Sequence, residues 1–194
     1  ENNSFLLVLQ PIVPINGLDT NKLSYEVLIR MRHGDKIIQP DDFLGATERY
    51  NLSSKVDLWV IHNTFKWMAD NKNQLEKVAL FNINISGQSL GDQEFLKHVV
   101  DALKAEPIPT GKICLEITET AAITNFTNAN SFMHTLKNLG GEFALDDFGT
   151  GLSSFEYLKA LPVEYIKIAG LFVKDIATDS VNLAMVKAFT DLGH

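Results

Sequence analysis

Seven polar side chains in this sequence have types that suit one shared site: Glu26, Arg30, Asn84, Glu116, Asp146, Asp147 and Lys167. Glu26, Asn84, Glu116, Asp146 and Asp147 offer hard oxygen ligands of the kind that hold Mg²⁺ or Mn²⁺. None of the seven is His or Cys, which turns the set away from Zn²⁺. The sharpest stretch is Phe143-Ala144-Leu145-Asp146-Asp147-Phe148-Gly149-Thr150-Gly151, where an apolar run ends in two adjacent acids and a Gly-Thr-Gly turn. Side chains alternate across a strand, so neighbouring acids cannot face one site from a regular strand. At a strand end, where the chain starts to turn, they can, and a divalent cation offsets their repulsion. Two such ions can polarise a phosphoryl oxygen and hold hydroxide in line with a leaving oxygen, as in phosphodiester hydrolysis. Lys167 suits the hydroxide or the developing charge, and the planar fork of Arg30 suits a phosphate. Each residue alone has an ordinary role: Asp and Gly in a turn, Glu26 with Arg30 as a strand-face ion pair, Asn84 as a turn cap, Lys167 beside a buried acid.

What gathers them is the order of elements. Phe5 to Ile15 is β-prone but broken by Pro11 and Pro14, as expected of a short strand that frays or lies at an edge. A turn over 17–21 follows. Leu23 to Met31 alternates, with Tyr25, Val27 and Ile29 on one face and Glu26, Leu28 and Arg30 on the other, so the two segments predict a hairpin. Helices are predicted from Pro40 to about Tyr50, and from a Ser53 or Ser54 cap through Met68. Val78 to Ser86 reads as a strand with Asn82, Asn84 and Ser86 on one face, and Glu94 to Leu103 as a helix stopped by Pro107 and Pro109. Lys112 to Thr118 reads as a strand with Cys114, Glu116 and Thr118 inward. Asn128 to Leu139 is a helix ended by Gly140-Gly141. After the Asp146-Asp147 strand come a helix from Ser153 to Leu161 and a strand from Val163 to Ile168, in which Tyr165, Lys167 and Ala169 share a face. A helix from Ser180 to Leu192 follows. From Val78 onward, strand and helix alternate at βαβ spacing, which implies a parallel α/β sheet. Barrels and open sheets of this class both build sites at C-terminal strand ends.

Composition narrows the function classes. A length of 194 residues, 45% of them hydrophobic, suits one domain with a substantial core. A formal charge of −7 argues against binding a DNA or RNA duplex through a basic surface, but leaves room for a small anionic ligand beside cations. The single cysteine, Cys114, excludes an internal disulfide and reads as a core residue. No apolar run reaches a membrane span and no signal peptide opens the chain, so a cytoplasmic domain, or the cytoplasmic part of a membrane-anchored parent, is expected. The five histidines show neither HxxxH nor HExxH spacing, and neither GxSxG nor GxGxxG occurs.

Several segments together resemble the EAL-domain family of cyclic di-GMP phosphodiesterases. They are Gln10-Pro11-Ile12-Val13, Tyr25-Glu26-Val27-Leu28-Ile29-Arg30, Asn82-Ile83-Asn84-Ile85-Ser86, Leu115-Glu116-Ile117-Thr118-Glu119, the DDFGTG run at 146–151, Leu161-Pro162 and Ile166-Lys167-Ile168. The resemblance implies a TIM-like (β/α) barrel with an antiparallel first strand, occupying residues 1–194. It implies hydrolysis of cyclic di-GMP to linear pGpG at a two-metal Mg²⁺ or Mn²⁺ site. Metal binding would fall to Glu26, Asn84, Glu116, Asp146 and Asp147, with the attacking water near Lys167. Arg30 would hold a substrate phosphate, and Gln10 would lie near a guanine. Glu119 would hold a regulatory loop after Asp147, and that loop and the next helix would support a homodimer. Fusion to upstream sensor or GGDEF-type domains in a longer parent is also implied. The sequence departs from the family at three places. The name-giving triplet is Glu-Val-Leu at 26–28, Ala169 stands where the family has an Asp, and the chain stops at His194. The last departure predicts a C-terminally truncated barrel lacking one or two βα units, an open six-strand form. Ala169 and the missing C-terminal segment together keep a second expectation open, a catalytically impaired receptor that binds cyclic di-GMP and signals through protein contacts.

Overall fold

Alternation in Phe5–Ile12 (β1) and Leu23–His33 (β2) sets their pairing. They form an antiparallel ladder from Phe5 opposite Met31 to Ile12 opposite Ser24, as the hairpin pattern predicts. The computed structural model describes residues 4–15, 22–105, 108–151 and 155–194. The turn expected at 17–21, the helix stop at Pro107 and the helix start at Ser153 lie outside the described residues. β1 ends the strand order, where Pro11, which has no N–H to donate, is tolerated.

A short strand, Lys36–Ile38 (β3), folds back on β2. Then come Leu44–Arg49 (α1), Ser53–Asp70 (α2), Lys72–Leu75 (α3), Val78–Asn84 (β4), Gly87–Leu90 (α4), Gln93–Ala105 (α5) and Ile113–Thr118 (β5). Glu119–Thr124 (α6), Phe126–Lys137 (α7), Glu142–Phe148 (β6), Phe155–Ala160 (α8), Tyr165–Ile168 (β7), Gly170–Val173 (α9) and Ser180–Gly193 (α10) complete the chain. The main path through the sheet is β1-β2-β4-β5-β6-β7, and every pairing along it from β2 to β7 is parallel. Each new strand adds beside the last and the order never reverses. That is the winding of a barrel wall, not of a doubly wound sheet, which needs a reversal.

The two faces of the sheet differ because each strand alternates. Phe81, Ile83, Leu115, Ile117, Phe143 and Leu145 share one core with Ile61, Phe65 and Met68 of α2, Phe95 and Val99 of α5, and Phe132, Met133 and Leu136 of α7. The intervening residues on the other face begin with a small apolar floor of Leu80, Cys114 and Ala144. Cys114 is fully buried, and burial pushes its thiol pKa upward, so it is an inert core group. Further along the same strands the alternation reaches Asn84, Glu116 and Asp146. The fold thus supplies a dry floor below a polar rim.

Several boundaries differ from the sequence reading. Ser53 does not cap α2; Leu52 takes the cap position without a side-chain bond, and Ser53 is buried with its hydroxyl 3.5 Å from that of Thr47. β4 ends at Asn84, two residues early, because the chain turns there into α4. β5 starts at Ile113, since residues 110–112 form a 3₁₀ turn and the Lys112 ammonium donates to the carbonyls of Leu75 and Val78. α6, capped by the Thr118 hydroxyl, and α9 were hidden in sequence because each is under two turns long. No described helix is long and apolar enough to cross a membrane.

Candidate active site

Parallel register does most of the assembly. Asn84 pairs with Glu116 across β4 and β5, and Thr118 with Asp146 across β5 and β6. Antiparallel register places Gln10 directly opposite Glu26, so the two share a face. The Asn84 amide donates to Glu26 at 2.9 Å. The Lys167 ammonium, arriving from β7, lies 2.5 Å from Glu116, 3.3 Å from Glu26 and 3.5 Å from Asp146. Five predicted residues, scattered over 141 positions of sequence, therefore form one bonded network.

Asp147 and Arg30 stand outside it. Asp147 adopts a φ of +51° at the point where the β6–β7 register shifts, between Leu145 and Phe148. Asp tolerates this left-handed region better than most residues. The irregularity breaks strand alternation at the paired acids. Asp147 is exposed, and its carbonyl accepts from the Thr150 hydroxyl at 2.8 Å. Arg30 donates to the carbonyl of its neighbour Ile29 at 2.8 Å. Four residues of extended chain put it roughly 13 Å beyond Glu26 along β2, a reach that fits a wall position and not the network itself.

Glu119, only 2% exposed, accepts from the N–H groups of Gly149 at 2.9 Å and Gly151 at 3.3 Å. It pins the turn after Asp147 from below. Ala169 directly follows β7, which ends at Ile168, and keeps an extended backbone with φ −56° and ψ 138°. Ala169 is buried at the start of α9, and its N–H donates to the Phe148 carbonyl at 3.2 Å.

Electrostatics in the network are set by burial. Glu116 is 1% exposed, and desolvation pushes its pKa up to about 7 against the opposing bond and charge of Lys167. Glu26 and Asp146 push it in the same upward direction. For Lys167, burial lowers the pKa, but the bond to Glu116 and the fields of Glu116, Asp146 and Glu26 outweigh it and the net shift is upward. Lysine is therefore held protonated among three acids.

The other oxygen of Glu116, Oε1, is buried with no hydrogen-bond partner. An orphan carboxylate oxygen beside Glu26, Asn84 and Asp146 is chemically suited to a hard cation. Among the described residues, no three acidic, His or Cys side chains are gathered closely enough to grip an ion as they stand. The Lys167 ammonium occupies the space between the carboxylates instead.

The raised Glu116 pKa carries a stability consequence. The folded chain binds a proton there that the unfolded chain releases near pH 4.5, so metal-free stability falls as pH rises from about 4.5 to about 7. The full effect is on the order of 3 kcal/mol. Glu116→Gln, which stays neutral, is expected to flatten this slope in thermal unfolding scans of the metal-free protein. An identical slope in the variant would assign the pH dependence elsewhere.

Comparison with known proteins places the chain among relatives of one family. The chain is 38% identical over 193 residues to the cyclic di-GMP phosphodiesterase PdeB of Shewanella oneidensis, covering 99% of the chain and 22% of that protein. It is 34% identical over 195 residues to the cyclic di-GMP phosphodiesterase PdeF of Escherichia coli, covering 100% of the chain and 25% of that protein. The chain thus spans about a quarter of the length of these curated relatives. The crystal structure of the FimX EAL domain from Pseudomonas aeruginosa bound to c-di-GMP superposes with a TM-score of 0.86 at 32% identity, over 97% of the chain and 75% of that domain. This bears out the α/β fold with an antiparallel first strand. With residues 1–194 all matching the EAL domain, the chain belongs to the EAL-domain family.

Proposed function

We propose that this chain is a metal-dependent phosphodiesterase domain that opens cyclic di-GMP to linear pGpG. The single observation that carries the reading is the network of Glu26, Asn84, Glu116, Asp146 and Lys167, with a buried, unpartnered Glu116 oxygen, on one rim of the sheet. Relatives named as cyclic di-GMP phosphodiesterases and a related domain that binds c-di-GMP support the choice of substrate.

In this reading Glu26, Asn84, Glu116, Asp146 and Asp147 hold Mg²⁺ or Mn²⁺. Two such ions, if bound there, would supply polarisation of a phosphoryl oxygen and a water acidic enough to react near neutral pH. Lys167 remains protonated and donates to the entering oxygen, so the negative charge that builds at phosphorus meets a fixed cation. Glu116 and Asp146 hold that ammonium in place. Arg30 grips a phosphate oxygen from the wall, and Gln10, beside Glu26, faces the base. One water oxygen bonds to phosphorus as one ring P–O3′ bond breaks, and the leaving oxygen takes a proton, which yields the linear dinucleotide.

The test is incubation with cyclic di-GMP and Mg²⁺ or Mn²⁺ followed by chromatography. Linear pGpG is expected, absent with chelator and reduced about 10²–10³-fold by Asp146→Asn. Nucleotide binding without product would replace hydrolysis with a receptor role.

A further inference from the structure

One half-buried carboxylate lies outside the network and was not singled out by any sequence motif. Asp57, on α2, accepts from the Ser86 N–H at 2.8 Å and from the Ser89 hydroxyl at 2.7 Å, both through Oδ2. The two serine hydroxyls are themselves 3.1 Å apart. The residue is half-buried, and desolvation raises its pKa despite the bonds from Ser89 and Ser86. An acid kept in such surroundings is costly unless its hydrogen bonds are specific.

The turn it holds follows directly on Asn84. β4 ends at Asn84, the Ile85 N–H donates to the Glu116 carbonyl at 2.8 Å, and the next N–H, that of Ser86, goes to Asp57. The strand end is thus tied on one side to β5 and on the other to a helix. We propose that Asp57 is a positioning residue that fixes the end of β4 through Ser86 and Ser89, and so sets where the Asn84 amide meets Glu26. Without the clamp the Ser86 N–H loses its acceptor, and the turn slides relative to β5. Asn84 then loses its fixed line to Glu26. The consequence for catalysis rests on the proposed phosphodiesterase reading, whereas the placement of Asn84 does not.

The experiment separates the two. In ¹H–¹⁵N spectra of the metal-free chain, the Asn84 side-chain amide peaks, assigned by their loss in Asn84→Ser, are expected to shift or broaden in Asp57→Ala. They are expected to stay in place in Asp57→Asn, whose carbonyl can accept both bonds. Ser89→Ala, which deletes one bond and leaves the helix intact, gives a smaller shift and serves if Asp57→Ala does not fold. With cyclic di-GMP, kcat per folded molecule is expected to fall roughly 10-fold in Asp57→Ala with KM little changed, and to recover in Asp57→Asn. Asn84 peaks that coincide with wild type in folded Asp57→Ala, or in Ser89→Ala where the former does not fold, overturn the proposal. So does an Asp57→Asn that displaces Asn84 as far as alanine does. A wild-type chain that cleaves nothing defeats the phosphodiesterase reading alone, because the amide spectra still decide the role of Asp57.

Discussion

Replacing Lys167 with methionine is expected to slow cyclic di-GMP cleavage by about 10²–10³-fold and to destabilise the metal-free chain above pH 7. Methionine keeps much of the aliphatic stem and deletes the charge. The ammonium contacts Glu116, Glu26 and Asp146 at 2.5, 3.3 and 3.5 Å, so its loss leaves three acids facing one another without a cation. Stranding a buried charge costs several kcal/mol, but the Lys167 side chain is 30% exposed, and water screening reduces the expected loss to about 1–3 kcal/mol. The sign with pH follows from the two shifts. Below about 7 the wild-type Glu116 carries a proton, and the missing cation matters less. Lys167, with its pKa raised above 10.5, contributes stability that is lost as pH climbs through its folded value. The penalty of the variant therefore fills the window between the two. Thermal unfolding at pH 5 and pH 8 reads it directly, and Mn²⁺ should restore more stability to the variant than to wild type. An unchanged cleavage rate would remove Lys167 from the mechanism.

Gly149→Ala is expected to cost about 2–5 kcal/mol and to lower the melting temperature by about 5–15 °C, with cleavage falling alongside. Gly149 has a φ of +96°, which an L side chain adopts only at a cost of about 1–2 kcal/mol. Space is also lacking. An added Cβ would stand 2.7 Å from a ring carbon of Phe189 and 2.8 Å from one of Phe172. Those rings are packed edge-on, Phe172 against Phe189 and Phe189 against Phe148, with centroids 5.4 and 5.2 Å apart. They cannot retreat without disturbing α9, α10 and the end of β6. Moving Gly149 also loosens its N–H bond to Glu119 and shifts Asp147, two residues earlier. Gly45→Ala is the control, since nothing lies within 4 Å of its Cβ position and α1 favours alanine. Equal melting temperatures for the two variants would contradict the steric account.

Alternation alone determined much of this protein. It separated the helix-facing side of β5 from the side bearing Glu116, and it predicted the N-terminal hairpin that sets Gln10 opposite Glu26. The alternation of strands and helices determined a parallel α/β sheet, because connections that long cannot make hairpins. The choice of oxygen-bearing residues pointed to hard-cation chemistry before any geometry existed.

Other features depend on contacts between distant segments, which residue periodicity does not encode. Lys167 became the cation among three acids only once β7 was laid beside β6, with Glu26 141 positions away in sequence. Burial raised the Glu116 pKa, and burial is a property of the packed sheet. The strand end at the paired acids was legible, but the left-handed Asp147 and the register shift beside it came only with the pairing of β6 and β7. Asp57 carries no motif; only the approach of α2 to the end of β4 turns an ordinary helical aspartate into the acceptor for Ser86 and Ser89.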